Sequence, residues 1–321
     1  MPRLSIVIPY LGGVGRLEDT LVSVLENRPA DCQILVVLGQ PYADPYSLAG
    51  EICFLKAPAE AGLMECIALG IDASRAAIVH VLGCGVEATC GWVEAALGHF
   101  ADPHVAAVAP LVVDRFDQRK ILSAGLTYTL GGGVRRIAAG PILQRLVQDP
   151  AALCGADLLA SFYRRSAVQA VLPWLDRAAD CLLGADWALA LRHAGYRSVL
   201  EPNCLVAANH DALNAGRSFG AGRARERLFW RWAPTRGWIR SLAGHALLLG
   251  RECVHCLVRP TLTCRLAGRV WASLEIPAHR RHWRRIARPV VPPAAVIGPP
   301  HFLTRNCQHW TVEARKLEEQ G

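Results

Sequence analysis

The sequence lacks any uncharged apolar run close to the roughly 20 residues that cross a bilayer as a helix. Its longest candidates, such as Ser241–Gly250 (SLAGHALLLG), reach half that length. A chain that spans a membrane is not expected, although one that lies on a membrane is compatible with this. Nor is a secretory leader expected, since Met1-Pro2-Arg3 runs straight into the strand-like Leu4–Pro9. The 12 cysteines show no framework spacing. That argues against a disulfide scaffold and for reduced thiols in a cytoplasm, at most peripheral to the inner face of the membrane. Cys253-Val254-His255-Cys256 with Cys264 suggests zinc at first sight. No second Cys-x-x-Cys pair follows, and cysteines three apart on an apolar helix commonly serve as small core residues. Internal repeats are absent, as is low complexity outside Pro289–Pro300. No nucleic-acid recognition motif accompanies the positive charge, so nucleic acid is not an expected partner.

What is present is core material and an uneven charge. The chain has 321 residues, 52% hydrophobic, which suffices for one large α/β domain and an appendage. Residues 1–210 hold 16 Lys+Arg and 20 Asp+Glu, whereas residues 211–321 hold 19 and 7. The N-terminal two-thirds therefore read as an ordinary enzyme domain, and the last third as a cationic extension suited to an anionic partner. The expected organisation is a main domain over 1–235, a basic helical extension over 236–288, and a Pro-rich linker with a polar tail over 289–321.

The main domain alternates buried strands with amphipathic helices. LSIVIPY (4–10) is a continuous apolar run with β-branched residues, as in a strand covered on both faces. Gly12, Gly13 and Gly15 follow, and then Arg16–Asn27 with Leu17, Leu21 and Val24 on one helical face. CQILVVLG, EICFLKA and AAIVHVLG read as further strands, with Ala59–Ser74 as a helix between the last two. This order predicts a doubly wound, mostly parallel sheet flanked by helices. Further on, the pattern predicts a helix over 91–100, a strand over 105–113, and a hairpin around Gly131–Gly133. It also predicts a strand-to-helix turn at Arg164-Arg165, a helix over 186–193, a strand over 196–200, and a basic helix over 217–232.

Ligands of such sheets bind beyond the carboxyl ends of the strands. Those ends carry Pro9 and Tyr10, Leu38 and Gly39, and Gly83-Cys84-Gly85. The last loop has no acid, base or hydroxyl at its centre. Cys84 is a soft ligand, unsuited to Mg²⁺ or Mn²⁺.

Four landmarks together resemble family-2 glycosyltransferases of the GT-A fold. They are LSIVIPY (4–10), Cys32–Leu38, Leu82–Trp92, and ADWALALRHAGYRSVLEP (185–202) followed by His210. The resemblance covers roughly residues 4–235 and implies a GT-A sheet that binds a nucleotide-diphosphate sugar. In the family, carboxylates at the ends of the second and fourth strands hold base, ribose and a divalent cation. A further carboxylate takes the proton of the acceptor hydroxyl.

Here those positions are Leu38-Gly39 and Gly83-Cys84-Gly85, so no metal cofactor is expected, and Mg²⁺ or Mn²⁺ is expected only if the site is not degenerate. Glu87 follows the loop and could act in the site. Ungapped alignment from Gly195 puts the family's Glu-Asp pair on Leu183-Gly184 and makes Asp186 a structural acid. A two-residue deletion would instead make Asp186 the catalytic base. His210 matches a terminal histidine that often touches the metal or diphosphate, and could remain as a residual contact. Arg217 and Arg223 lie on the basic helix and could neutralise a diphosphate. Tyr10 either stacks on a base or sugar or lines a narrowed cleft. The basic helices either rest on anionic lipid, with Trp230, Trp232, Trp238 and Trp271 at the interface, or pack on the main domain. Two functions follow: sugar transfer with weakened or relocated catalysis, or a silent scaffold that binds other glycosyltransferases or a membrane surface in glycan assembly.

Overall fold

A computed structural model describes residues 2–138, 153–176, 182–209, 218–233, 238–258, 263–279 and 286. The strands are β1 (Leu4–Tyr10), β2 (Cys32–Leu38), β3 (Cys53–Lys56), β4 (Ile78–Leu82), β5 (Val86–Ala88) and β6 (Val105–Asp114). They continue with β7 (Ile121–Ser123), β8 (Leu126–Tyr128), β9 (Val134–Arg136), β10 (Ala160–Arg164) and β11 (Arg197–Ala208). The helices are α1 (Val14–Glu26), α2 (Leu63–Ala73), α3 (Glu94–Gly98), α4 (Arg165–Val171) and α5 (Leu183–His193). Three more follow: α6 (Phe219–Trp232), α7 (Trp238–Val258) and α8 (Thr263–Ser273).

The central sheet runs β3-β2-β1-β4-β10-β6-β11-β5, with β7 attached to β6. The four strands from the first eighty-odd residues are mutually parallel, as the alternating pattern predicts. Tyr10 sits beside Leu38, so the ends of β1 and β2 lie level. β10 inserts antiparallel between β4 and β6, and β11 lies parallel to β6. β5 leaves β4 through a three-residue turn yet pairs with β11 at the other end of the strand order, so the sheet curls. The hairpin around Gly131–Gly133 forms as β8 and β9. β11 extends well past the expected strand over 196–200, with an irregularity between Glu201 and Leu205.

Every residue of β1 is buried. Because side chains alternate across a strand, Ile6 and Ile8 face one layer and Val7 the other. The first layer contains Leu17, Leu21 and Val24 of α1 together with Trp92. The second contains Met64, Ile67 and Ile71 of α2, Trp187 of α5, and Leu228 and Trp232 of α6. His80 is wholly buried in the first layer, edge-on to Trp92 at 4.7 Å and against Phe162 at 3.9 Å. Burial pushes its pKa down to about 3, against a weaker opposing pull from the Ser161 backbone.

The arginines of α6 and α8 do not form the solvated cationic face that the charge count suggests. Glu226 on α6 accepts from Arg269 of α8 at 2.9 Å and from Trp230 at 2.8 Å, and it contacts His245 of α7 at 3.0 Å. Glu252 of α7 pairs with Arg265 at 3.1 Å and accepts from Arg269 at 3.2 Å. Glu275 binds both Arg223 and Arg227, and these partners outweigh the upward push of burial, holding its carboxyl down at about 2. Trp232 is buried and Trp230 is tied to Glu226, whereas Trp238 and Trp271 are exposed.

Candidate functional site

The turn after β4 explains its own composition. Gly83 O accepts from Val86 N at 3.1 Å, which closes a four-residue turn. Gly85 sits third in that turn with φ of 88°, a conformation that glycine adopts without strain. Its N–H reaches Arg16 O at 3.0 Å and Thr20 Oγ1 at 2.9 Å, so the turn docks onto α1. A Cβ at Gly83 would come within 3.3 Å of Leu159 O. Aspartates at 83 and 85 would thus meet a carbonyl on one side and the wrong backbone dihedral on the other. Between them, Cys84 Sγ donates to Pro9 O at 3.3 Å. Burial pushes this thiol up to about 12, with Arg16 opposing, so it is neither a nucleophile nor a thiolate ligand at neutral pH.

The ends of β1 and β2 close on one another. Gly39 N donates to Tyr10 O at 2.9 Å. A Cβ at Gly39 would lie 2.7 Å from Leu11 and 3.0 Å from Cys66 Sγ. Tyr10 is only 2% exposed and meets Tyr42 edge-on at 6.0 Å, while Tyr42 leans on Phe54 at 5.8 Å. Buried to this extent, the Tyr10 ring offers no free face for stacking on a base or sugar.

Three charged groups ring these ends. Glu87 on β5 pairs with Arg115 at 2.8 Å, and Arg115 also reaches Asp19 of α1 at 3.3 Å. Burial raises the Glu87 pKa, Arg115 pulls it back, and Asp19 adds to the rise. Asp157, just before β10, accepts from Ser123 Oγ at 3.1 Å and from Arg136. Arg16 is the third group. A Cβ on Gly13 would come within 2.8 Å of its Nε, and one on Gly85 within 3.4 Å of its Cδ. Its side chain therefore bridges the β1–α1 loop and the Gly83–Gly85 turn, and no carboxylate pairs with it among the described residues.

Sequence reasoning missed Arg16, Arg115 and Asp157. Arginine in the first turns of an amphipathic helix reads as solvated surface. Only the sheet register brings Arg115 beside Glu87. The one available signal for Arg16 was its place directly after three glycines at a strand end.

Asp186 is fully buried on α5. One oxygen accepts from Asp176 N at 2.7 Å and from Arg231 Nη1 at 2.9 Å, and the other accepts from Trp232 Nε1 at 2.5 Å. Burial pushes its pKa up, while Arg231 and these donors oppose. With both oxygens engaged, the geometry favours the structural acid of the two alternatives. Arg223 sits on Glu275, away from the Gly83–Gly85 turn, because a guanidinium beside a carboxylate is satisfied there. His210 and Arg217 lie outside the described residues.

No protein-family model matches the chain, and no curated protein matches it in sequence. Solved structures do. GalNAc-T7 with UDP, GalNAc and Mn²⁺ superposes with a TM-score of 0.55 at 13% identity, over 72% of this chain and 48% of that one. This is the GT-A fold. The chain spans about half the length of that GalNAc-T7 structure. The mannosyltransferase PcManGT from Pyrobaculum calidifontis, in complex with GDP-Man and Mn²⁺, aligns over 98% of this chain and 80% of its own, with a TM-score of 0.46 and 13% identity.

The residues at the strand ends do not fit a hard divalent cation. Such an ion takes several oxygen ligands, whereas the turn offers two glycines and a protonated thiol. Glu87 and Asp157 are each committed to an arginine. Among the described residues, no three His, Cys, Asp or Glu side chains converge as a metal would need. Cys253 and Cys264 are exposed and Cys256 is half-buried, so they are not the small core residues expected of them.

Proposed function

We propose that this chain is a family 2-like glycosyltransferase domain that takes a nucleotide-diphosphate sugar at the strand ends without a divalent cation. Arg16 supplies positive charge where related sites hold a metal, and transfer to a glycan or lipid acceptor is weakened or lost. The carrying observation is the Arg16 side chain, its stem beside Gly85 and its guanidinium over Gly13, unpaired with any described carboxylate, at a turn without oxygen ligands. A guanidinium suits a diphosphate geometrically and stays charged at any working pH.

Transfer breaks the anomeric bond to the diphosphate, forms a bond to the acceptor oxygen, and sends the acceptor's proton to a base. Asp186 is poorly placed as that base, since both its oxygens already accept. This favours the second reading, a domain that binds the donor but serves as a scaffold in glycan assembly.

A thermal-shift series tests the binding. UDP or GDP is expected to raise the melting temperature, about 2–4 °C for each kcal/mol of binding, equally with Mn²⁺ and with a chelator. Arg16→Ala is expected to weaken that binding about tenfold, the worth of a charge-assisted contact. No shift with any nucleotide would sink donor binding; a shift that requires Mn²⁺ would sink the cation-free site. Turnover of a sugar nucleotide, lost in an Asp186→Asn protein of unchanged melting temperature, would remove the scaffold reading.

A further inference from the structure

Helices α7 and α8 are amphipathic in the inverted sense. On α7, the stripe Ser241, His245 and Glu252 turns inward: Ser241 Oγ donates to Leu130 O at 2.6 Å, His245 contacts Gly131 O at 2.8 Å, and Glu252 holds Arg265. The outward stripe is Ile239, Leu247, Val254 and Leu257, with Leu247 77% and Leu257 86% exposed. On α8, Arg269 and Gly268 are buried, whereas Val270, Trp271 and Leu274 are exposed. Of the sixteen large apolar side chains exposed among the described residues, nine lie between Trp238 and Leu274.

Helices α6 and α8 approach closely through their backbones and are joined by ion pairs. A Cβ on Gly222 of α6 would lie 1.8 Å from Arg265 O, and one on Gly268 would lie 2.0 Å from Phe219 O. Helix contact through glycine with polar groups inside and aliphatic groups outside suits a hydrocarbon exterior, where apolar burial between helices gains nothing.

The charge on this face limits what can cover it. Its two carboxylates, Glu252 and Glu275, are turned into ion pairs, and the exposed charged side chains of α7 are Arg240 and Arg251. Arg280, Arg281, Arg284, Arg285 and Arg288 follow in the sequence. An apolar face whose exposed charged side chains, among the described residues of α7, are arginines matches the boundary of an anionic bilayer. No helix among the described residues is long and apolar enough to cross a membrane, and α7, at about 31 Å for its 21 residues, is long enough to lie along one.

We propose that the outward faces of α7 and α8 insert into the acyl-chain boundary of an anionic membrane, placing the GT-A domain on the bilayer surface. Attachment is by apolar insertion, with arginine setting the lipid preference. This inference stands independently of nucleotide binding.

Flotation of the full chain tests it, using phosphatidylcholine vesicles with roughly one-third phosphatidylglycerol and vesicles of phosphatidylcholine alone. The protein is expected to float with the anionic vesicles. Leu247→Glu with Leu257→Glu is expected to lower the bound fraction about tenfold at unchanged melting temperature, while Leu247→Ile with Leu257→Ile floats like the parent. Brominated acyl chains are expected to quench tryptophan emission in the unaltered protein, and Trp238→Phe with Trp271→Phe to remove most of that quenching. Three results would overturn the inference. Flotation that survives the glutamates would mean adsorption through the arginines only. An unquenched protein would mean no insertion. A lipid-free dimer by light scattering, dissolved by the same glutamates, would mean that a second copy covers the face.

Discussion

The strand ends and the C-terminal helices treat charge in opposite ways. Around Gly83–Gly85 the nearby carboxylates Glu87 and Asp157 are taken up by other arginines, and Arg16 is left unpaired with any described carboxylate. In α6, α7 and α8 the carboxylates Glu226 and Glu252 are drawn inside and paired, and the apolar groups are pushed out. An unpaired exposed cation costs little in water and is available to an anion. A buried pair contributes to one arrangement of helices and is available to nothing. The difference separates a surface kept for a ligand from a network kept for architecture.

Glu226→Ala is the strongest way to break this contrast. It removes one of the two carboxylates that hold Arg269 and the partner of His245, and should cost about 3 kcal/mol, read by urea unfolding. A cost below about 1 kcal/mol, the level of an exposed pair, would mean the network is solvated. Asp186→Asn comes next. It removes one charge of the pair with Arg231 while Asp176 stays 3.8 Å away, so about 2 kcal/mol is expected. A loss of turnover without loss of stability would return Asp186 to the cleft as a base.

His80→Leu is the smallest change at neutral pH, within about 1 kcal/mol, and its effect lies in the acid limb. Below its ordinary value of 6.5, the unfolded chain takes up a proton that folded His80 refuses until about pH 3. Stability therefore falls as pH drops through that window. The variant should flatten melting temperature against pH between about pH 4 and pH 7. Parallel curves for variant and parent would show that His80 does not carry the acid sensitivity.

The parallel half of the sheet was legible because buried parallel strands write themselves as unbroken β-branched runs, as in LSIVIPY and CQILVVL. Gly131–Gly133 announced its hairpin for an equally local reason. The placement of β5 against β11 was not legible, since the three residues of β5 carry no signal for their partner. Nor was the fate of the arginines. A count of 19 basic and 7 acidic residues over 211–321 describes a cationic surface, and only the fold shows Glu226, Glu252 and Glu275 drawing four of those arginines into ion pairs. At the cleft, the missing aspartates were plain to see, but the reason that glycine suits Gly85 lies in its positive φ and its bond to Thr20.

The strand order also governs how this chain is made. β4 is flanked by β1, which has already been made when it emerges, and by β10, which is synthesised about eighty residues later. Until β10 leaves the ribosome, β4 shows a bare hydrogen-bonding edge to every neighbouring nascent chain. β5 waits longer still, because its partner strand ends only at Ala208. Slow translation between residues 90 and 160 should therefore raise the aggregated fraction in cells, and a holdase chaperone that covers exposed strand edges should lower it.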